Sequence, residues 1–538
     1  MTLPIFTWLI WLPLLSSPLV YLAGRLSVRL SQRGQGRVKW PQPARWIALG
    51  SLLATWAAFI LTWQEFNRNG PAAFTLGTVT LRLDGLSLLL AFIILVLATL
   101  VTLYSGPPTA AETGEEKYYA LLMTLSGAMI GLSCAADLFN LWLWFEAMAV
   151  ATYLLVAFHR QQPASLEAGV KLLVQSAAGS ILVLLAIALV LAETGTLAVA
   201  DLAATIPATT SPLLLAAGAL FIVGFGVKIA LVPMHTWLPD AHAQAPSGIS
   251  AILSGIVIEM GLIALLRALS ILAGSNAVWG ELLMAFAVLN MLAGNLLALR
   301  QTQVKRLLAF STIGHVGYIL LGFGIALYVG SAAGAEGGLF HLLSHGLMKG
   351  LAFLAAGALL YGLSTAAGVQ SSIASLTAEN VESAKNREGN SAPSAHSAVN
   401  SLTIADLAGA ARRYPLVALT FSLALLGLGG LPPLAGFMSK WQILAAGIST
   451  HNLLVYGLVI LAALNSVMSL AYYGPLVNAL YRRQPSAAVQ AGRPLPLSVQ
   501  APLLLLGLAV VAVGLWPNLA LWLVEPAGTA LLAAFGGS

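Results

Sequence analysis

The sequence predicts an all-α integral membrane protein with about 14 transmembrane helices. Three observations lead there. First, 59% of the 538 residues are hydrophobic and only 8% are charged, whereas soluble domains carry about 25% charged residues. Second, apolar stretches of the ~20 residues that a helical span needs recur along the whole chain. Third, nineteen of the 25 Lys and Arg residues fall in alternate loops on one side, and three (Arg68, Arg82, Arg267) fall on the other. Lys228, Lys349 and Lys440 complete the set, inside spans. Such asymmetry is the positive-inside pattern, and it places both termini outside. Adding or removing one span would scramble it.

The expected spans lie near 4–24, 44–63, 84–104, 117–135, 138–158, 168–192, 211–233, 247–271, 277–298, 305–328, 336–362, 415–447, 453–480 and 500–524. The first stretch lacks the basic leader of a secretory signal and is long enough to remain as a helix. Two spans carry Pro–Gly irregularities that should break them. Pro233 and Pro239 follow Lys228, and Gly429, Gly430, Pro432, Pro433 and Gly436 precede Lys440. Proline removes a backbone donor and clashes with the preceding turn. These are the seventh and twelfth spans, so an odd offset of five gives the two units opposite orientation, as in inverted repeats.

The chain therefore divides into N-terminal helices 1–3 (1–104), a first five-helix unit (117–271), a second (277–480), and a C-terminal helix 14 (500–538). Within the second unit, residues 364–411 are rich in Ser, Ala and Asn and cannot bury a core. They are expected to be a loose polar loop, either an inert insert or a docking segment.

Composition also excludes functions. The net charge of +6 comes from short loops between spans, so it reads as a topology signal and not as a nucleic-acid face. The single cysteine, Cys134, rules out an internal disulfide and a cysteine-ligated cluster. No phosphate-binding loop, dinucleotide fingerprint or haem pattern is present. No cofactor or metal is expected, and energy must come from an ion gradient or a partner protein.

Five ionisable side chains sit inside apolar spans: Glu146, Lys228, Glu259, Lys349 and Lys440. Each costs about 2.5–3.5 kcal/mol at the bilayer centre on insertion scales, which marks an ion or proton path. Glu146 needs a basic partner or water, and a structural ion pair is the plainer alternative. A lysine in a dry site releases its proton readily, so Lys228 suits reversible proton carriage. His235 falls on nearly the same face if the helix continues, and otherwise is a loop-end hydrogen-bonding residue. His341, His345 and Lys349 recur every four residues and share one helix face. His315 either joins that polar seam or is a satisfied core histidine. Two histidines four apart, with no carboxylate or cysteine beside them, do not make a metal site.

These residues give the chain its resemblance. The runs Asp137-Leu-Phe-Asn to Phe145-Glu146, Val227-Lys-Ile-Ala-Leu-Val-Pro-Met-His-Thr-Trp-Leu-Pro-Asp-Ala-His242, Ala298-Leu-Arg-Gln-Thr-Gln-Val-Lys-Arg306, His341-Leu-Leu-Ser-His345 and Gly430-Leu-Pro-Pro-Leu-Ala-Gly-Phe437 resemble the antiporter-like membrane subunits. That family is shared by respiratory complex I, Mrp-type antiporters and membrane-bound hydrogenases, and the likeness covers about residues 80–480. It implies 14 helices in two inverted five-helix units, and proton translocation along a midplane file in which Glu146 pairs with Lys228 and Lys440 ends the second half-channel. Many members carry lysine where this chain has Glu259. The reversed sign leads to the expectation that Lys228 is shared between Glu146 and Glu259.

The resulting expectation is a proton-translocating subunit of a redox-driven complex, of the complex I or hydrogenase kind, without a catalytic centre of its own. Two rivals are an Mrp-type sodium/proton antiporter subunit and a structural scaffold with vestigial charges. Its expected surroundings are a prokaryotic inner membrane, its lipid and other membrane subunits.

Overall fold

The computed structural model describes residues 3–33, 42–77, 79–110, 112, 114–205, 211–272, 276–363 and 402–536. After a 3-10 turn at Ile5–Thr7, the helices run α1 (Trp8–Arg33), α2 (Pro43–Asn69), α3 (Gly85–Thr109), α4 (Glu115–Ser133), α5 (Leu138–Val156), α6 (Pro163–Thr194), α7 (Val199–Thr205), α8 (Pro212–Ile229) and α9 (Trp237–Gln244). A long helix α10 (Ser247–Ser270) leads to α11 (Asn276–Ala298), α12 (Val304–Val329) and α13 (Ala332–Leu363). The chain closes with α14 (Pro415–Gly429), α15 (Ala435–Ile448), α16 (Leu453–Leu480), the short α17 (Ala487–Ala491), α18 (Leu497–Leu515) and α19 (Asn518–Ala534).

Twelve of these helices are long and apolar enough to cross a membrane. α4, and the interrupted pair α14 and α15, lie where two further spans are expected, in agreement with the 14-helix reading. The expected span near 500–524 is divided. Trp516 leaves the helical conformation (φ −130°, ψ 78°), and after Pro517 the chain restarts as α19. α19 packs over the start of α3, where the Gly85 backbone abuts Pro526.

Burial sorts the helices into two populations. The most apolar window of α10 is wholly buried, and those of α3, α12 and α13 are mostly so. α1, α2, α6 and α16 leave apolar side chains such as Leu53, Ile181 and Leu464 exposed. The outer helices thus leave an apolar surface, while the inner helices meet only protein.

One feature absent from the sequence reading is a hairpin of β1 (Ala72–Leu76) and β2 (Val79–Leu83), antiparallel with Ala72 opposite Leu83 and Leu76 opposite Val79. Its turn residue Gly77 has φ +63°. The hairpin continues through a bridge from Leu81 to Ala135, so its backbone groups are satisfied beyond the two strands. The expected loop 364–411 lies outside the described residues as far as 401. At its described end the Val304 N–H donates to the Leu402 carbonyl (2.9 Å), and Ile404 donates back to Thr302 (3.1 Å).

The charge asymmetry has a structural counterpart. Arg267 meets Asp84 at the end of the bundle that also holds the hairpin. Its Nη2 donates to both Asp84 oxygens (3.1 Å each) and to the Ser133 carbonyl (2.7 Å). Asp84 in turn caps α3 by accepting from the Ser87 N–H (2.8 Å). At the opposite end Asp240 holds both Arg306 (2.6 Å) and Lys171 (3.0 Å). Replacing Asp84 with Ala strands a largely buried guanidinium, which should destabilise the protein by about 3–5 kcal/mol. A melting temperature in detergent equal to that of the parent would contradict this.

Candidate functional site

Two helix interruptions frame the site. α8 stops at Ile229 because Ala230 adopts the left-handed conformation (φ 57°). The Leu231 N–H then bonds back to Gly226 (2.9 Å) and the Ala230 N–H to Val227 (3.2 Å). α14 stops in the same way. Gly430 is left-handed (φ 83°), Leu431 bonds back to Leu426 (3.1 Å), and Gly430 to Gly427 (2.8 Å). This paired 6→1 and 5→2 pattern is a Schellman cap. Each cap is followed by a cis X–Pro bond, Val232–Pro233 and Pro432–Pro433. The two breaks are therefore built alike.

The position of the first break differs in detail from expectation. Pro239 does not break a helix, because it lies in the first turn of α9, where a missing N–H removes no hydrogen bond. And since α8 ends at Ile229, His235 does not continue the Lys228 face. It lies in the turns between α8 and α9, half-buried, with its ring 6.5 Å from that of Phe310.

A broken helix frees carbonyls that must be satisfied internally. At the first break the Trp237 indole donates to the Val227 carbonyl (2.7 Å). Asn290 of α11 accepts from the Val232 N–H (2.9 Å) and donates to the Ala230 carbonyl (3.4 Å). At the second, Lys440 itself closes the gap. Its Nζ donates to the Leu428 carbonyl (2.8 Å) and to Ser466 Oγ (2.9 Å), and lies 4.6 Å from the centre of the Tyr318 ring. Ser466 donates to the Gly429 carbonyl (3.1 Å).

Lys228 is not held in this manner. Its Nζ is buried and has no hydrogen-bond partner, and the same is true of Glu146 Oε1. Glu146 is the carboxylate whose charge reaches Lys228, but among the described residues no ion pair within 4 Å joins them. The Lys228 stem packs against Gly261 of α10.

Between the two breaks lies a buried file. Inside α10 the hydrogen bonding widens to a π turn at Leu253–Val257, a local insertion often found at functional positions. Gly255 at that turn faces Gly346 of α13. A Cβ on Gly346 would come within 2.7 Å of the Gly255 carbonyl, so only small residues permit the close approach. One turn on, Glu259 Oε1 meets His345 Nδ1 at 2.5 Å, with neither side chain exposed. Glu259 is thus held by His345, and Lys228 is not shared between Glu146 and Glu259. Glu259 Oε2 and His345 Nε2 have no partner.

The file continues on the same α13 face. The rings of His315 and His345 stack at 5.2 Å. His315 Nδ1 lies 3.2 Å from His341 Nε2, and His341 Nδ1 lies 2.8 Å from Ser439 Oγ, next to Lys440. Lys349 points to α12, donating to the Leu308 carbonyl (2.8 Å) and to Ser311. The structure thus brings together Glu259, His315, His341, His345 and Lys440, and places Glu146 with Lys228 beside them. Among the described residues no group of three or more His, Cys, Asp or Glu is arranged to hold a metal ion.

Two residues escaped the sequence reading. His242 is fully buried on α9, stacked on Phe353 at 4.5 Å, with both ring nitrogens unpartnered. Lys305, counted there as a loop residue, is buried in the first turn of α12 and donates to the Ala245 carbonyl (2.7 Å). The charges of Lys305 and Lys349 both reach His242. A cavity of about 450 Å³ opens at this end, with Lys305, His159, Glu112 and Arg493 in its wall. The only sequence signal for His242 was its place in the run Val227–His242, because its own segment is not apolar.

Comparison with known proteins agrees with this architecture. Residues 135–380 and 389–468 match the family model described as NADH:quinone oxidoreductase/Mrp antiporter, TM. The chain is 31% identical over 485 residues to F(420)H(2) dehydrogenase subunit N of Methanosarcina mazei, covering 89% of this chain and 91% of that one. It is 30% identical over 449 residues to NADH-quinone oxidoreductase subunit N of Desulforudis audaxviator, covering 80% of each. Among solved structures, a chain of the membrane-bound sulfane sulfur reductase, an archaeal respiratory membrane complex, superposes with a TM-score of 0.81 at 26% identity over 99% of both chains.

Asn290 is the side chain that closes the first break from outside it. Asn290→Leu leaves the Val232 N–H and the Ala230 carbonyl unpaired, at about 1–3 kcal/mol for each buried group. The variant should melt earlier in detergent than the parent. An unchanged melting temperature would mean that the break is closed without it.

Proposed function

Because the chain belongs to the NADH:quinone oxidoreductase/Mrp antiporter membrane family, we propose that it is a proton-translocating subunit of a redox-driven membrane complex. In this reading the chain carries no redox chemistry itself, and its host supplies the energy. The observation that carries the reading is the buried file from Glu146 and Lys228 through Glu259, His345, His315 and His341 to Ser439 and Lys440. Ionisable groups this deep are expensive in a bilayer and mark proton relays.

The contrast between free and tethered heads supports a direction of work for each residue. Lys228 and Glu146 have unsatisfied polar atoms, so a change in their charge state or rotamer breaks no hydrogen bond. Lys228 is the carrier, and Glu146 is the counter-charge that sets its proton affinity. The Glu259–His345 pair passes the proton into the histidine stack, and Ser439 hands it on toward Lys440. Gaps too long for direct hydrogen bonds are crossed on water. Protons reach the file from the basic end through the cavity beside Lys305 and then His242, whose two free ring nitrogens suit a relay. His235 lines the turns between α8 and α9 and serves the same half-channel. Lys349 biases the adjoining histidines by charge. With the basic end facing the cytoplasm of a prokaryotic inner membrane, both termini lie outside.

The test uses the native complex reconstituted in vesicles. Lys228→Ala and Glu146→Ala should each lower coupled proton pumping by about a hundredfold or more, the scale of a lost proton-transfer group, while the complex still assembles. Pumping at the parental rate would leave only a scaffold role. Glu259→Gln retains a hydrogen-bonding partner for His345 but removes the titrating oxygen. It should block pumping, and Glu259→Asp should recover part of it. Flavin and iron–sulfur subunits should copurify with the chain. A complex without them that exchanges sodium for protons would overturn the redox assignment.

A further inference from the structure

We infer that α1, α4, α5 and α6 form a binding site for one anionic diacyl phospholipid, apart from the proton file. The site is a cavity of about 640 Å³ at the basic end of the bundle. Its apolar walls come from Pro18, Leu121, Leu154 and Leu166, and Lys117 and Arg160 stand in the same lining. Leu154 and Leu166 are each 45% exposed, so the walls open sideways onto the surface that faces lipid. A pocket with apolar flanks and a cationic lip fits an acyl chain and an anionic headgroup together.

The charges point to the occupant. Lys117 starts near the N-terminus of α4, and Arg160 follows the end of α5, so both lie at headgroup level and not in the bilayer core. Neither side chain has an ion-pair or hydrogen-bond partner among the described residues. The carboxylates nearby are engaged or turned elsewhere. Glu112 pairs with His159 (2.9 Å) and Glu116 faces Arg25 (3.8 Å), while Glu115 lies on the Arg45 side with its Oε1 buried and unpartnered. Two unpaired cations at the rim of an apolar groove leave a positive patch that a phosphodiester neutralises. Basic pockets between membrane helices on the positive side recognise anionic headgroups in this way. Tyr21 of α1, also at the rim, offers a hydroxyl to a phosphate or glycerol oxygen. A helix of a neighbouring subunit could also cover apolar walls, but it would have to bring two acidic groups to this rim, and a phospholipid brings its charge with its tails.

The experiment is native mass spectrometry on the intact complex, delipidated in mild detergent and titrated with dioleoyl phosphatidylglycerol or dioleoyl phosphatidylcholine. The parent should retain one phosphatidylglycerol per chain in preference to phosphatidylcholine. The double variant Lys117→Gln with Arg160→Gln should need about thirtyfold more phosphatidylglycerol for the same occupancy, the combined effect of two cations at a membrane surface. Leu154→Trp, which fills the groove without changing charge, should remove that adduct as well. Equal retention of the two lipids by the parent, or an unshifted titration in both variants, would overturn the site. Should the variants fail to assemble, a photo-crosslinking amino acid at position 154 in the otherwise unaltered chain decides. Adducts with phosphatidylglycerol support the site, and adducts with a peptide of another subunit overturn it.

Discussion

A backbone carbonyl or N–H left unpaired in hydrocarbon costs several kcal/mol, and that penalty governs how this protein can interrupt its helices. α8 and α14 both end inside the bundle, so the last turn of each exposes carbonyls that water does not reach freely. Each end is closed twice: first by the same local cap, at Ala230 and at Gly430, and then by side chains from elsewhere. The second closure is where the two units diverge. Trp237 and Asn290, both neutral, do the work at the first break, and Lys440 with Ser466 does it at the second.

That divergence sets the character of the two lysines. The Lys440 head sits at the negative end of a helix dipole, with carbonyl, hydroxyl and aromatic face all arranged around it. Losing its proton would weaken each of those contacts. Lys228 has its carbonyl-capping duty discharged by Trp237, whose ring lies 6.0 Å from Nζ. Its head is free to respond to the charge on Glu146. Two breaks with like backbones thus carry one hydrogen-bonded and one unpartnered lysine head, a distinction that arises from packing and not from residue type.

The centre of the file depends on backbone proximity. Glu259 and His345 sit on different helices and meet because Gly255 and Gly346 let α10 and α13 come close, at the place where α10 widens into a π turn. A bulkier residue at either glycine would separate the helices and open the shortest polar contact in the file. The fully buried position of α10 serves the same end, since a carboxylate facing lipid would have no partner with which to share a proton.

How much of this was readable in advance follows from the range of the forces involved. Hydropathy, the positive-inside count and proline chemistry act over one span or one loop, so the sequence by itself determined the membrane class, the helix count, the two interrupted spans and the intramembrane charges Glu146, Lys228, Glu259, Lys349 and Lys440. The four-residue spacing of His341, His345 and Lys349 likewise fixed their common face. Tertiary structure alone decided who meets whom. It gave Glu259 to His345, parted His235 from Lys228 by ending α8 four residues early, and buried Asn290, His242 and Lys305 at positions that hydropathy by itself does not single out. Those pairings depend on helix crossing distances of a few ångströms, set by glycines on two chains of contacts far apart in sequence, and no local pattern encodes a distance between helices.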